Sequence, residues 1–135
     1  MTDKKIPVAV LAATGSVGQR FVQLLDGHPW FEVTTLTGSE RTQCQVYGEA
    51  CRWLLPEAMP EWAKSIQLKG TSPDEVHEAV IFSALPADSA RQVEPLFARA
   101  GSAVFSNASA YRTDPLVPIL LPEVNVESRQ SQCTA

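Results

Sequence analysis

The stretch Val8-Ala9-Val10-Leu11-Ala12-Ala13-Thr14-Gly15-Ser16-Val17-Gly18-Gln19-Arg20-Phe21 restricts this chain more than any other. An apolar run rich in valine gives way to small residues and glycines, then resumes with apolar residues at helical spacing. That is the pattern of a strand feeding a phosphate-binding turn and a helix. Ile6 to Leu11 carries no charged residue, as a central parallel strand covered on both faces requires. Val17, Phe21, Leu24 and Leu25 fall at i, i+4, i+7 and i+8 and predict the helix face laid on the sheet, with Gln19, Arg20, Gln23 and Asp26 facing solvent. The turn reads Ala12-x-x-Gly15-x-x-Gly18, with alanine where the dinucleotide pattern has its first glycine, so a negative φ is expected at Ala12. Gly15 would let the backbone approach a pyrophosphate, and Gly18 would let helix and strand pack closely. Thr14, Ser16 and Val17 would offer backbone N–H groups at the helix start, where the macrodipole favours an anion by about 0.3 to 1 kcal/mol. A turn of this form that binds nothing is the competing reading, because one glycine motif alone is weakly specific.

Composition limits the alternatives. Charged residues make up 19% and hydrophobic ones 44% of the 135, the balance of an ordinary globular domain of single-domain length. A net charge of −4 with no basic cluster argues against a nucleic-acid surface. No apolar run reaches the ~18 residues that span a bilayer, and Met1 to Lys5 leads into a strand, so no membrane association and a cytoplasmic setting are expected. Cys44, Cys51 and Cys133 have neither zinc spacing nor a disulfide framework, and His28 and His77 are isolated. Free thiols and no metal are expected.

Along the chain, Gly27-His28-Pro29 ends the first helix and Phe31 to Thr37 predicts a second strand. It halts at Gly38-Ser39-Glu40-Arg41, about twenty residues past the glycines, where this type of fold reads the adenosine ribose. Ser39 and Arg41 are donors for a 2'-phosphate, whereas Glu40 could accept from a free 2'-hydroxyl. A charge-assisted bond from Arg41 is worth roughly 1.5 to 3 kcal/mol, which favours NADP with Glu40 turned to solvent. Thr42 to Ala63 predicts an inserted loop with one short helix at most, Trp53 and Trp62 packing beneath it. Ile66 and Leu68 predict a third strand, and Ser72-Pro73-Asp74-Glu75 a capping box that opens a short helix. Ala79 to Pro86 predicts a fourth strand, whose end at Ser83, Ala84 and Leu85 would line the ribose and pyrophosphate of the cofactor. Ala90, Val93, Leu96, Phe97 and Ala100 predict a helical stripe closed by Gly101, with Pro95 kinking the helix or shifting its start. Ser102 to Phe105 and Val117 to Leu121 predict a fifth and a sixth strand. Strands and helices alternating in this way give an α/β, Rossmann-type, doubly wound and mostly parallel sheet with helices on both faces.

Five segments taken together carry more information than the glycine turn. Ala13 to Arg20, Ser39-Glu40-Arg41, Phe82-Ser83-Ala84-Leu85, Ser106-Asn107-Ala108 with Tyr111-Arg112, and Pro122-Glu123-Val124-Asn125 resemble the aspartate-semialdehyde dehydrogenase family, in particular its archaeal and fungal branch. The resemblance runs in order from about Ile6 to Asn125. It implies an oxidoreductase that uses NADPH to convert aspartyl phosphate to aspartate semialdehyde and phosphate, on the route to lysine, threonine and methionine. It implies that Thr14, Gly15, Ser16 and Val17 cradle the pyrophosphate, that Ser39 and Arg41 hold the 2'-phosphate, and that Ser83, Ala84 and Leu85 lie along the cofactor. Asn107 would face the nicotinamide, and Arg112 would bind the phosphate of substrate or product, a task that suits a planar guanidinium. An ion pair of Arg112 with Glu123 or Asp114 is the alternative for that residue. The resemblance further implies a homo-oligomer, an NADP-binding domain over residues 1–125, and a polar tail over 126–135 that opens onto a catalytic domain. In the family an Asn-x-x-Cys turn supplies the nucleophile and a histidine the acid and base, in later segments. Cys133 lacks the preceding asparagine and lies too soon after Asn125, so no catalytic residue is assigned and this portion alone is expected not to turn over.

Two other readings remain. Short-chain dehydrogenases need Tyr-x-x-x-Lys, but Cys51 follows Tyr47 and Pro115 follows Tyr111 at that spacing. A stand-alone nucleotide-sensing or partner-binding module without catalysis would use the same fold.

Overall fold

A computed structural model describes residues 4–119 of the chain. At its centre is β1 (Ile6–Leu11), whose alternate side chains enter different cores. Val8 and Val10 pack with Val22, Leu25, Tyr47 and Leu68, whereas Ala9 and Leu11 pack with Val76, Ile81 and Phe97. Successive strand side chains point to opposite faces, so a strand apolar on both needs cover on both. β2 (Phe31–Leu36) and β3 (Val80–Ser83) pair parallel with β1 on either side, and β4 (Ala103–Ser106) pairs parallel with β3. The order is β2-β1-β3-β4. α1 (Ser16–Leu25) covers the Val8 face together with the short helices α2 (Tyr47–Ala50) and α3 (Glu61–Lys64); α4 (Ala87–Arg99) covers the Ala9 face through Phe97. The sheet is therefore doubly wound, as the alternation of elements predicts. Among the described residues no helix is long and apolar enough to cross a membrane.

The phase of α1 differs from the expectation. Its buried residues are Gly18, Gln19, Val22 and Leu25, while Val17 and Leu24 are exposed and Gln19 is fully enclosed. Gly18 is the cause: a Cβ there would overlap the Ala12 carbonyl oxygen and stand 2.6 Å from Ala13 Cα. The helix touches the turn at residue 18, and the contact line then runs through 22 and 25 at i+4 and i+7. Ala12 is a second correction, with φ at 57° rather than negative. The left-handed conformation lets two successive amides face one residue: Ala12 N–H donates to Thr37 Oγ1 at 3.1 Å and Ala13 N–H to Thr37 O at 3.0 Å.

Between β2 and β3 the chain is less regular than expected. Ile66 to Leu68 forms no strand, because its neighbourhood pairs only through isolated bridges, Thr37 with Lys69 and Val46 with Gln67. The inserted loop holds two short helices rather than one, and Trp53 and Trp62 pack half-buried against the α1-side core. Ser72 Oγ accepts from Asp74 N–H at 3.2 Å, but the Glu75 carboxylate lies against Gly70 instead of returning to Ser72, and no helix forms there. Glu78, just before β3, accepts from the hydroxyls of Thr34 and Thr35. These adjacent threonines both reach it at a slip in the β1–β2 register between Val8 and Ala9. Burial opposes the charge of Glu78, but the Thr35 and Thr34 hydroxyls, its own backbone amide and Lys69 outweigh burial and hold the carboxyl below its ordinary pKa.

α4 buries Ala90, Glu94 and Phe97, leaving Leu96 and Ala100 exposed, and Pro95 sits inside it without moving its start. A proline cannot donate to the carbonyl four residues earlier. Here that carbonyl, Arg91 O, takes the Tyr111 hydroxyl at 2.5 Å instead. Gly101, at φ 98°, comes just after the helix end. Val117 to Ile119 is irregular, so that part of the expected sixth strand is absent; Leu120 and Leu121, the Pro122–Asn125 segment and Cys133 lie outside the described residues.

Gly18→Ala should destabilise the fold by about 1–3 kcal/mol, because the clash is with backbone that cannot step aside. A thermal midpoint recorded by circular dichroism and left unmoved would contradict the packing given for Gly18. For Glu78, a depressed folded pKa means that its stabilisation is full above the unfolded value of ~4.3 and fades as pH falls through the folded one. The urea-stability gap between the native chain and Glu78→Gln should therefore narrow below about pH 4, whereas a gap constant from pH 7 to pH 3 contradicts the assignment.

Candidate functional site

Among the described residues the four strands are all parallel, so their carboxyl ends share one edge. The chain leaves β1 for β2 on one side and later places β3 on the other. In doubly wound sheets ligands sit beyond the carboxyl ends at such a reversal. The candidate residues fall along this edge in strand order: Ser39 and Arg41 after β2, Thr14 to Val17 after β1, Ser83 to Leu85 at β3, and Asn107 and Arg112 after β4. At about 4.8 Å between strands the row spans ~14 Å.

The turn after β1 combines open donors with a firm underside. Gly15 caps α1 with φ −79° and ψ 172°, without a side-chain bond, and the first turn holds no acidic residue. The amides of Ser16, Val17 and Gly18 therefore open the helix with no helical acceptor, at the positive end of its dipole. Beneath them the Tyr47 hydroxyl donates to Ala13 O at 2.8 Å, and Gln19 Nε2 donates to Thr14 O at 2.9 Å. The same Gln19 nitrogen reaches Arg52 O at 2.9 Å, and Gln19 Oε1 accepts Leu54 N–H at 2.7 Å. Burial drives the Tyr47 hydroxyl far above its ordinary pKa, reinforced by Cys51. Burial likewise raises the Cys51 thiol, partly offset by the neighbouring Tyr47 hydroxyl, and the thiol donates to Thr14 O at 3.8 Å. Both are neutral donors, and Cys51 is no thiolate nucleophile.

The end of β2 is fastened to this turn. Thr37, fully enclosed, donates its N–H to Val10 O at 3.0 Å and accepts the Thr71 hydroxyl at 2.8 Å, besides both amides of the alanine pair. Ser39 O accepts the amides of Thr42 at 3.0 Å and Gln43 at 2.9 Å, closing a turn on which Ser39, Glu40 and Arg41 are all exposed. Among the described residues neither Glu40 nor Arg41 enters a salt bridge. On the far side, Ala84 N–H donates to Leu11 O at 3.1 Å and Asn107 N–H to Ser83 O at 3.1 Å, so the ends of β1, β3 and β4 are tied in series. Ser83 is buried, and its hydroxyl accepts Leu85 N–H at 3.5 Å. Ser106 donates its hydroxyl to the buried Glu94 carboxylate at 2.5 Å and accepts Ala108 N–H at 3.0 Å. Arg112 is exposed and donates to Asn107 O at 3.3 Å; it makes no ion pair with Asp114, and Glu123 lies outside the described residues. No group of three or more metal-binding side chains occurs among the described residues. A shallow cavity of about 250 Å³ lies at the opposite edge, between Lys5, Asp26, Phe31, Glu32 and Trp62.

Sequence reasoning missed Gln19, Thr37 and Tyr47. Gln19 is polar at a position assigned to solvent, and Tyr47 lies in the least patterned stretch. Only Thr37, at a strand end in a threonine-rich run, carried a signal, since such a hydroxyl can bond turn amides.

Comparison with known proteins gives a consistent result. The family described as semialdehyde dehydrogenase, NAD binding domain, matches residues 7–132. An aspartate-semialdehyde dehydrogenase of Archaeoglobus fulgidus is 51% identical over 120 residues, covering 89% of this chain and 35% of its own length. One from Methanothermobacter thermautotrophicus is 51% identical over 123 residues, covering 90% and 35%. The crystal structure of aspartate semialdehyde dehydrogenase with NADP from Candida albicans superposes with a TM-score of 0.90 at 40% identity, covering 94% of this chain and 36% of that one. The chain spans about a third of the length of these relatives.

The two described thiols should differ in reactivity, since Cys44 is exposed and Cys51 buried with a raised pKa. Iodoacetamide at pH 7.5 should label the Cys44 peptide at least about tenfold faster than the Cys51 peptide, as read by mass spectrometry. Equal rates in the folded protein would contradict the burial and neutral state given to Cys51.

Proposed function

Because the chain belongs to the semialdehyde dehydrogenase NAD-binding domain family, we propose that it binds NADP along the carboxyl edge of its sheet and serves as the cofactor-holding part of an aspartate-semialdehyde dehydrogenase. The observation that carries this reading is the match between two linear orders. From β2 to β4 the edge presents an exposed arginine and serine, then open helix amides, then small residues, then an asparagine turn. A 2'-phosphorylated dinucleotide presents an adenosine 2'-phosphate, a pyrophosphate, a ribose and a nicotinamide. NADP in the Candida albicans relative supports the choice of cofactor.

Each segment then has a task. Ser39 donates a hydroxyl and Arg41 a guanidinium to the 2'-phosphate, and Glu40 stays in solvent. The amides of Thr14, Gly15, Ser16 and Val17 take the pyrophosphate, where side-chain charge is unnecessary because the helix dipole favours the anion. Ser83, Ala84 and Leu85 keep the wall low for close approach, and Asn107 faces the nicotinamide. NADPH, when bound, supplies the hydride that reduces the acyl carbon of aspartyl phosphate to the aldehyde as phosphate departs. Arg112 holds that phosphate by paired hydrogen bonds. The product, aspartate semialdehyde, would feed lysine, threonine and methionine synthesis, in the cytoplasm. Residues 1–125 form the binding unit in this reading.

NADPH should bind more tightly than NADH in a fluorescence titration. Arg41→Ala should raise the NADPH Kd by about ten- to a hundredfold and leave NADH unchanged, the loss of one charge-assisted bond. Equal affinities for the two cofactors in the unaltered chain would count against the NADP assignment.

A further inference from the structure

Two fully enclosed polar side chains, Gln19 and Tyr47, hold the turn by its carbonyls from the core side. We propose that they are positioning residues that aim the turn's amides at the pyrophosphate, and that the affinity for a dinucleotide depends on them although neither reaches it. This rests on the reading of the carboxyl edge as an NADP site.

The geometry comes from the planar trans peptide, in which C=O and the next N–H point in opposite directions; the described chain contains no cis bond. Tyr47 draws the Ala13 carbonyl inward at 2.8 Å, which turns the Thr14 N–H outward. Gln19 draws the Thr14 carbonyl inward at 2.9 Å, which turns the Gly15 N–H away from the core. The contact from Gly15 N–H to Ala12 O is long, 3.4 Å, and leaves that amide able to serve a ligand. Orientation here needs enforcing, because glycine tolerates both signs of φ and the Thr14–Gly15 peptide would otherwise rotate at little cost. Gln19 is itself held by two further bonds, to Arg52 O at 2.9 Å and from Leu54 N–H at 2.7 Å. The inserted loop therefore acts as the brace of the phosphate turn: its Tyr47 supplies one grip and its 52–54 backbone fixes the carboxamide that supplies the other.

A merely structural role would weaken every ligand alike or none. Adenosine 2'-monophosphate engages the Ser39 and Arg41 end without a pyrophosphate, so it separates the two cases. Tyr47→Phe and Gln19→Met, each near in shape, should raise the NADPH Kd about tenfold by isothermal titration while leaving the Kd of adenosine 2'-monophosphate within about twofold. Equal loss for both ligands, or no change for NADPH, overturns the proposal. Should Gln19→Met fail to fold, as circular dichroism would report, Tyr47→Phe decides alone, since it removes only an oxygen. Failure of the unaltered chain to bind either ligand overturns the NADP reading and this proposal with it; binding of both with no selective loss overturns this proposal only.

Discussion

The ligand edge depends on one joint, the pair of hydrogen bonds from the Ala12 and Ala13 amides to Thr37. It fastens the end of β2 to the turn after β1, and so sets the exposed serine and arginine beside the open helix amides. The joint requires Ala12 to stand in the left-handed region, at a cost of roughly 1–2 kcal/mol for a residue with a Cβ. Leaving the enclosed Ala13 amide unpaired would cost about 1–3 kcal/mol, with a further loss at the half-buried Ala12 amide, so the strained arrangement is the cheaper one. Thr71 completes the arrangement by donating to the same hydroxyl.

Below the turn the interior is polar where an apolar core would be simpler. Gln19 could have been an aliphatic residue on packing grounds alone, and the face through Val22 and Leu25 would have welcomed it. Its carboxamide instead makes three hydrogen bonds, and no buried side-chain polar atom among the described residues lacks a partner. A fully satisfied polar group fixes orientation in a way that dispersion contacts do not. The same logic recurs at the far end of the edge, where Pro95 withholds a helical bond from Arg91 O and Tyr111 supplies it. That exchange ties the segment carrying Asn107 and Arg112 onto α4.

Periodicity and the placement of glycine made the frame of the fold legible in the sequence. β1 with apolar residues on both faces demanded a covered parallel sheet, and Gly18 demanded a close helix contact; both are present. Of the stripe Val17, Phe21, Leu24 and Leu25, Phe21 and Leu25 do pack on the core, while the close contact at Gly18 turns the helix so that Val17 and Leu24 face solvent. Ala12 was misjudged by local preference, which the bonds to Thr37 override. Ile66 and Leu68 alternate like a strand but lack consecutive partners, a tertiary fact that alternation cannot report. Strand order alone was enough to bring the candidate site residues to one edge. Their supports were hidden, since Gln19, Thr37 and Tyr47 act through contacts 25 to 34 residues distant or through a buried carboxamide that looks like a surface one.

Everything assigned to the carboxyl edge turns on a doubly phosphorylated adenosine cofactor lying there, its pyrophosphate on the amides that open α1. The most direct measurement is an amide-resolved NMR titration of the chain with NADP. The largest shifts are predicted at Thr14, Gly15, Ser16, Val17 and Ser39, with smaller ones near Ala84 and Asn107. Shifts confined to the opposite edge, around Lys5, Glu32 and Trp62, or no saturable shift at Gly15 to Val17, would contradict it.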